Sequence, residues 1–191
     1  ICVDNHKAGD FKPYVLKSTD RGQTWTSIAG DLPERHIVWR LVQDHEKPEL
    51  YFVGTEFGVF FTINGGENWI KLSGGAPTIP FRDLAIQTRE NDLVGATFGR
   101  GFFILDDYSP LRHVSEEVLE QEAELFPVRK AWWYIQRATL GYGEKASQGA
   151  DLYVAPNPPF GATFTYYLGE SIKTKKQQRR ESEKDIQKSG G

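Results

Sequence analysis

The 191-residue chain contains no methionine and a single cysteine, Cys2. One thiol cannot form an intrachain disulfide, so no covalent staple holds the fold, and the redox compartment is left open. No apolar run is long enough for a bilayer-spanning helix, so no membrane span is expected. Charge of one sign is also lacking: 23 Lys and Arg against 26 Asp and Glu leave a net charge of −3. That balance argues against general attraction to nucleic acid or to an anionic membrane. The four histidines, His6, His36, His45 and His113, lack metal-ligand spacing, so neither a metal site nor a cofactor is expected. Without an initiator methionine, the chain is expected to begin inside a larger or processed product, which makes a missing signal peptide uninformative.

What is abundant is aromatic residues, at 13%, and glycine, with 19. Aromatics punctuated by glycine at turns suggest many short strands rather than helices. An internal repeat orders them. Residues 18–25 read STDRGQTW and residues 62–69 read TINGGENW. Superposing Trp25 on Trp69, 44 residues apart, also superposes Ser18 on Thr62, Asp20 on Asn64 and Gly22 on Gly66. The flanks repeat too. VWRLV (38–42) matches FRDLA (81–85) in placing an aromatic and then Arg, Trp39-Arg40 and Phe81-Arg82. LYFVGTEFGVFF (50–61) matches DLVGATFGRGFF (92–103), with one residue inserted near Arg100.

The pattern predicts hairpins of residues 14–19 with 24–28, 38–43 with 50–55, 59–63 with 68–72, and 81–87 with 92–97. A further strand starts at residues 101–105. Ser115 is expected to cap a short helix over 116–122, with two Glu in its first turn. Residues 126–135 (FPVRKAWWYI) read as a closing strand. Residues 137–150 read as a linker. Residues 151–191 read as a truncated accessory β domain with a strand at 162–168, followed by a charged tail. That tail, residues 171–188, carries seven basic and three acidic residues and reads as a solvated helix or a disordered segment.

The repeated octad has a physical logic. A hairpin tip leaves backbone N–H groups unpaired, and Asp20 or Asn64 can accept from them. Gly22 and Gly66 permit positive φ at the tip. Trp25 and Trp69, just past the tip, can pack on neighbouring strands. Each of these roles is structural. The pattern Ser/Thr-x-Asp-x-Gly-x-x-Trp resembles the Asp box, complete in the first copy and with Asn64 for Asp in the second. By average residue usage its loose form arises at on the order of one in ten thousand positions. A repeat of 40 to 50 residues fits one four-stranded propeller blade. The stretches quoted above, with ILDDYSPLR, the FPVRKAWWY segment and NPPFGATFTYYL after them, resemble the last blades of secreted bacterial BNR-repeat, sortilin-like "glycosyl hydrolases". The resemblance implies an all-β fold: about two and a half β-propeller blades, a partial propeller, then a truncated immunoglobulin-like segment. It also implies an extracellular or periplasmic location.

In such a fold the face opposite the Asp boxes would carry the loops 30–36, 56–58, 74–80 and 98–101. The ligand-binding candidates there are Asp31, Arg35, His36, Glu56 and Arg100, with Arg40 and Arg82 on innermost strands; Glu34 is chemically able as well. Arginines beside a carboxylate suit an anionic sugar or a peptide carboxylate. Alternatively, Arg40, Arg82, Glu56 and Asp83 pair with one another between repeats. Glycoside hydrolysis would need two positioned carboxylates, and nothing in the sequence selects a pair. Three functions follow: a non-catalytic scaffold or glycan- or protein-binding surface, part of a glycosidase whose carboxylates lie elsewhere, or a sortilin-like peptide-binding propeller. The expected partners are a glycan or peptide ligand and the remaining blades of the parent chain.

Overall fold

The computed structural model describes residues 1–135 and 160–189. The chain divides into two compact units, Ile1–Ser115 and Glu116–Gly191. The linker read at 137–150 and the start of the accessory segment at 151–159 lie outside the described residues.

The first unit holds three antiparallel sheets. The middle one is a four-stranded meander of β4 (Val38–Gln43), β5 (Tyr51–Thr55), β6 (Gly58–Thr62) and β7 (Ile70–Lys71). Before it come β1 (Cys2–Asn5), β2 (Asp10–Lys17) and β3 (Thr26–Ser27), three strands in that order. After it come β8 (Phe81–Gln87), β9 (Asp92–Thr97) and β10 (Phe102–Leu105), with β9 central. The expected hairpins therefore form, and β1 is a strand that the sequence reading missed. The described fold is mostly β, in several small sheets.

The two central strands of the middle sheet are buried on both faces: every residue of β5 and β6 is buried. Side chains alternate across a strand, so two cores result. Tyr51, Val53 and Phe60 join Val15 and Leu32 of the first sheet's side. Phe52, Val59 and Phe61 join Phe81, Leu84 and Leu93 of the third. A strand buried on both faces loses visible alternation, which explains the near-continuous apolar runs YFVGT and GVFFT.

Two interruptions of register matter. Between Val38 and Arg40, β4 advances two residues while β5 advances one, so Trp39 is a bulge; between Phe81 and Asp83, Arg82 is a bulge in β8. The equivalent residues are thus Trp39 and Arg82, and Arg40 and Asp83. The segments 38–42 and 81–85 therefore match position for position, Val38 on Phe81, while the aromatic–Arg pairs Trp39-Arg40 and Phe81-Arg82 that suggested the match stand one residue out of step. The insertion near Arg100 is real: Thr55 Oγ1 donates to the Gly58 carbonyl (2.9 Å), and Thr97 Oγ1 reaches Gly101 across one more residue (2.8 Å).

The third sheet has no fourth strand among the described residues. The chain instead turns at Asp107, whose φ is 50°, and Tyr108 enters the core. A 3-10 turn, Ser109–His113, then carries Arg112 back to the turn between β4 and β5. There the fully buried Asp44 carboxylate accepts from Arg112 Nε (2.9 Å) and a terminal nitrogen (2.8 Å), Tyr108 Oη (2.6 Å), and the Lys47 (2.7 Å) and Glu46 (3.1 Å) amides. Lys47 Nζ donates in turn to the Arg112 and Val114 carbonyls, both at 3.0 Å.

In the second unit, β11 (Ala123–Leu125) pairs with β12 (Tyr166–Leu168) after a short helix α1, Glu116–Leu119. Residues 126–135 form no strand, contrary to the expected closing strand. Trp132 and Trp133, the rings expected to be buried one on each face of that strand, stay exposed. The charged tail contains α2, Lys175–Ser189. Its start is a capping box: the Gln177 amide donates to Thr174 Oγ1 (3.3 Å), and the Thr174 amide donates to Gln177 Oε1 (2.8 Å). No helix among the described residues is long and apolar enough to cross a membrane.

Burial alone would raise the Asp44 pKa. The hydrogen bonds from Arg112, Tyr108 and the two amides outweigh it and hold the carboxyl well below the usual range. A carboxylate depressed in the folded state stabilises above its unfolded pKa, and that stability is lost as pH falls through the folded value. Asp44→Asn should therefore cost about 3–5 kcal/mol in urea unfolding at neutral pH, because Arg112 is left without its carboxylate. The variant should also lose less stability than the native chain below about pH 4. Equal acid sensitivity in the two would show that other carboxylates govern acid unfolding.

Candidate functional site

The two repeated octads form tight hairpin tips. In the first, Asp20 accepts from the Thr24 amide (2.9 Å), Thr24 Oγ1 (2.6 Å) and Ser18 Oγ (2.8 Å), and Ser18 Oγ accepts from the Gly22 amide (2.7 Å). These donors, Thr24 foremost, hold the Asp20 pKa down to about 2. In the second, Asn64 Oδ1 accepts from the Asn68 amide (3.1 Å) and Thr62 Oγ1 (2.8 Å), and Thr62 Oγ1 accepts from the Gly66 amide (3.1 Å). An amide oxygen thus serves where the first copy uses a carboxylate. Gly22 and Gly66 have φ of 86° and 100°.

The two tryptophans diverge. Trp69 is 7% exposed and fills the junction between the first two sheets, its Nε1 donating to the Ile28 carbonyl at 3.0 Å. Trp25 is 44% exposed and lies back over its own tip, donating to the Gly22 carbonyl at 3.1 Å. Packing on neighbouring strands, expected of both, is made by Trp69 alone, since no sheet precedes the first one among the described residues.

Of the seven ligand-binding candidates, three gather with Trp39 and Asp83 at the bulged starts of β4 and β8. Glu56 Oε2 accepts from Trp39 Nε1 (2.8 Å) and lies 3.7 Å from an Arg82 nitrogen. The Arg82 guanidinium sits 3.7 Å from the Trp39 ring centroid and 5.6 Å from that of Phe98. Such a stack contributes about 0.5–1 kcal/mol at a half-exposed site. Arg40 Nε pairs with Asp83 Oδ1 at 3.1 Å, both side chains exposed, so that pair contributes roughly 0–1 kcal/mol. Pairing between repeats, one of the two alternatives, is what these four charged residues do.

Glu56 also borders a pocket of about 400 Å³, lined by Phe11, Arg35, Ile37, Glu56 and Phe57. Arg35 lies 5.8 Å from the Phe11 ring centroid. His36 packs edge-on against Phe57 (5.0 Å) and Phe60 (5.6 Å), and its Nδ1 is buried without a partner. Asp31 is not brought to Glu56. It accepts from the Trp69 amide (2.6 Å) and Asn68 Nδ2 (3.4 Å), tying the segment after β3 to the second tip. Arg100 is exposed in the turn before β10.

No known family, curated protein or solved structure matches this chain. Sequence reading overlooked Trp39 and Phe98 as members of the cluster. The bulge that turns Trp39 toward Arg82 could have been suspected only from a correct register. Among the described residues, no group of three or more His, Cys, Asp or Glu is placed to hold a metal.

Burial, and then the charge of Lys71, lowers the His36 pKa. The neutral imidazole is favoured in the fold, so stability is full above the unfolded pKa near about 6.5 and falls as pH drops through the folded value. His36 should titrate below its unfolded value when followed by NMR. A midpoint at or above about 6.5 would contradict the desolvation of the ring.

Proposed function

We propose that the chain is a non-catalytic part of a secreted Asp-box β-propeller protein and that its Trp39–Glu56–Arg82 face binds a carboxylate-bearing ligand, a glycan or a peptide. The fold supports this through a four-stranded meander flanked by two sheets of the same repeat, each carrying or retaining part of the same strand order. The tips at Asp20 and Asn64 are held by the same hydrogen-bonding scheme, as Asp boxes would be. In a propeller, β4 and β8 would be innermost strands, and their bulges would face the central channel.

The observation that carries the binding reading is the state of the carboxylates. Glu56 is committed to Trp39 and Arg82, Asp83 to Arg40, and Asp31 to a backbone amide. A glycosidase needs one carboxyl to donate a proton and a second to attack or to activate water. Side chains already serving as structural acceptors suit neither role. What remains presented is exposed aromatic surface, Phe11, Phe57 and Phe98, beside Arg35 and Arg82. Aromatic faces stack on sugar rings or apolar side chains, while a guanidinium grips a carboxylate.

The test is titration of the full chain with acidic oligosaccharides and with short peptides bearing a free C-terminal carboxylate. The reporter is the Trp39 indole N–H resonance, which is bonded to Glu56. Saturable shifts are expected with one ligand class, weakened at least about tenfold by Arg82→Ala, the loss of one charge-assisted contact. Release of reducing sugar that Glu56→Gln abolishes would instead identify a glycosidase.

A further inference from the structure

The junctions on the two faces of the middle sheet use the same positions. By strand register, Ile28 corresponds to Leu72, Val38 to Phe81 and Phe60 to Phe103. The Ile28 and Leu72 amides donate to the equivalent carbonyls of Val15 (2.9 Å) and Val59 (2.8 Å). At the first junction the remaining space is filled by the Trp69 indole, and the second tip closes over Gly30. A Cβ on Gly30 would lie 2.5 Å from the Gly66 carbonyl oxygen and 2.4 Å from that of Glu67.

At the second junction no described residue stands where Trp69 stands in the first. A cavity of about 230 Å³ lies there, lined by Leu72, Gly74, Phe81, Leu93 and Phe103 among others. Gly74, the counterpart of Gly30, has open space where Gly30 meets backbone. Beside the cavity β10 is a sheet edge, with Phe102 74% and Ile104 60% exposed. The segment that directly follows β10, residues 106–113, does not cover this edge. Asp107 turns it away, and Tyr108 and Arg112 anchor it to Asp44.

We propose that this cavity and the β10 edge receive an extended strand from another polypeptide, seated by a tryptophan whose indole enters the cavity and donates toward the Leu72 carbonyl. The filled junction supplies the template. There β7 pairs with β6 at Phe60 and Phe61, and Trp69 immediately precedes its first paired residue. The matching positions on β10 are Phe103 and Ile104. An exposed edge supplies unpaired backbone donors and acceptors, which gives affinity; the indole cavity gives selectivity. The inference rests on comparing two junctions of one chain. It is independent of any ligand at the Trp39–Arg82 cluster, which lies at the starts of β4 and β8.

The probe is a synthetic peptide of the chain's own residues 62–73, added to the full ¹⁵N-labelled chain. Expected are saturable shifts at Leu72, Gly74, Phe103 and Ile104, and slower amide exchange along β10. The same peptide with alanine for its tryptophan should bind at least about tenfold more weakly. Equal binding of the two peptides, or no shift at these residues, would overturn the proposal. So would shifts at Ile28 and Gly30 instead, which would mean displacement of β7. Amides of β10 already protected without peptide would show that this chain or a second copy covers the edge, and dilution would separate those two occupants.

Discussion

A single buried carboxylate ties the C-terminal end of the larger unit to its middle sheet. Asp44 sits in the turn between β4 and β5, and its acceptor sites are filled by Arg112, Tyr108 and two backbone amides. Without them, a charge at this depth would favour unfolding. With them, the chain after β10 is held against a turn more than sixty residues earlier. That constraint fixes where Tyr108 enters the core and where the third sheet ends. It also leaves the β10 edge uncovered by the segment that directly follows.

The sheets are joined by two kinds of contact. Apolar junctions carry most of the burial, and strand alternation sends Tyr51, Val53 and Phe60 to one and Phe52, Val59 and Phe61 to the other. At the starts of β4 and β8, polar contacts join equivalent positions that carry complementary groups: Trp39 with Arg82, and Arg40 with Asp83. Repeats in contact with one another need complementary rather than identical residues at such positions. Divergence between copies at these sites is therefore a packing requirement before it is a sign of function.

The hairpins of the larger unit were legible because their strands alternate or run apolar between strong turn signals. Residues 38–43, 81–87 and 92–97 have the bounds their patterns indicated. The first strand, Cys2–Asn5, is short and polar and carries no such pattern; pairing with β2 makes it a strand. The run FPVRKAWWYI had the composition of a strand but forms none. The charged tail left a solvated helix and a disordered segment both open, because Ile186 alone gives α2 no apolar face by which helices are usually read. Of the site, the charged residues were legible and their arrangement was not. Asp31 and Glu56 looked like neighbours on one face, but the close approach of Gly30 to the second tip draws Asp31 to Trp69.

The sequence by itself determined the repeat, the hairpin tips and the strand-rich character. These depend on local chemistry: a short polar side chain accepting from tip amides, glycine at positive φ, and apolar residues between turns. Only the tertiary structure decided register, and register is where function is read. A bulge of one residue exchanges the faces of a strand, so which of Trp39, Arg40, Arg82 and Asp83 meet is settled by hydrogen bonding between strands far apart in the chain. The fate of the two tryptophans was decided in the same way. Equivalent positions in the two copies of the motif gave one buried indole and one exposed, because burial requires a neighbouring sheet and, among the described residues, Trp69 alone has one.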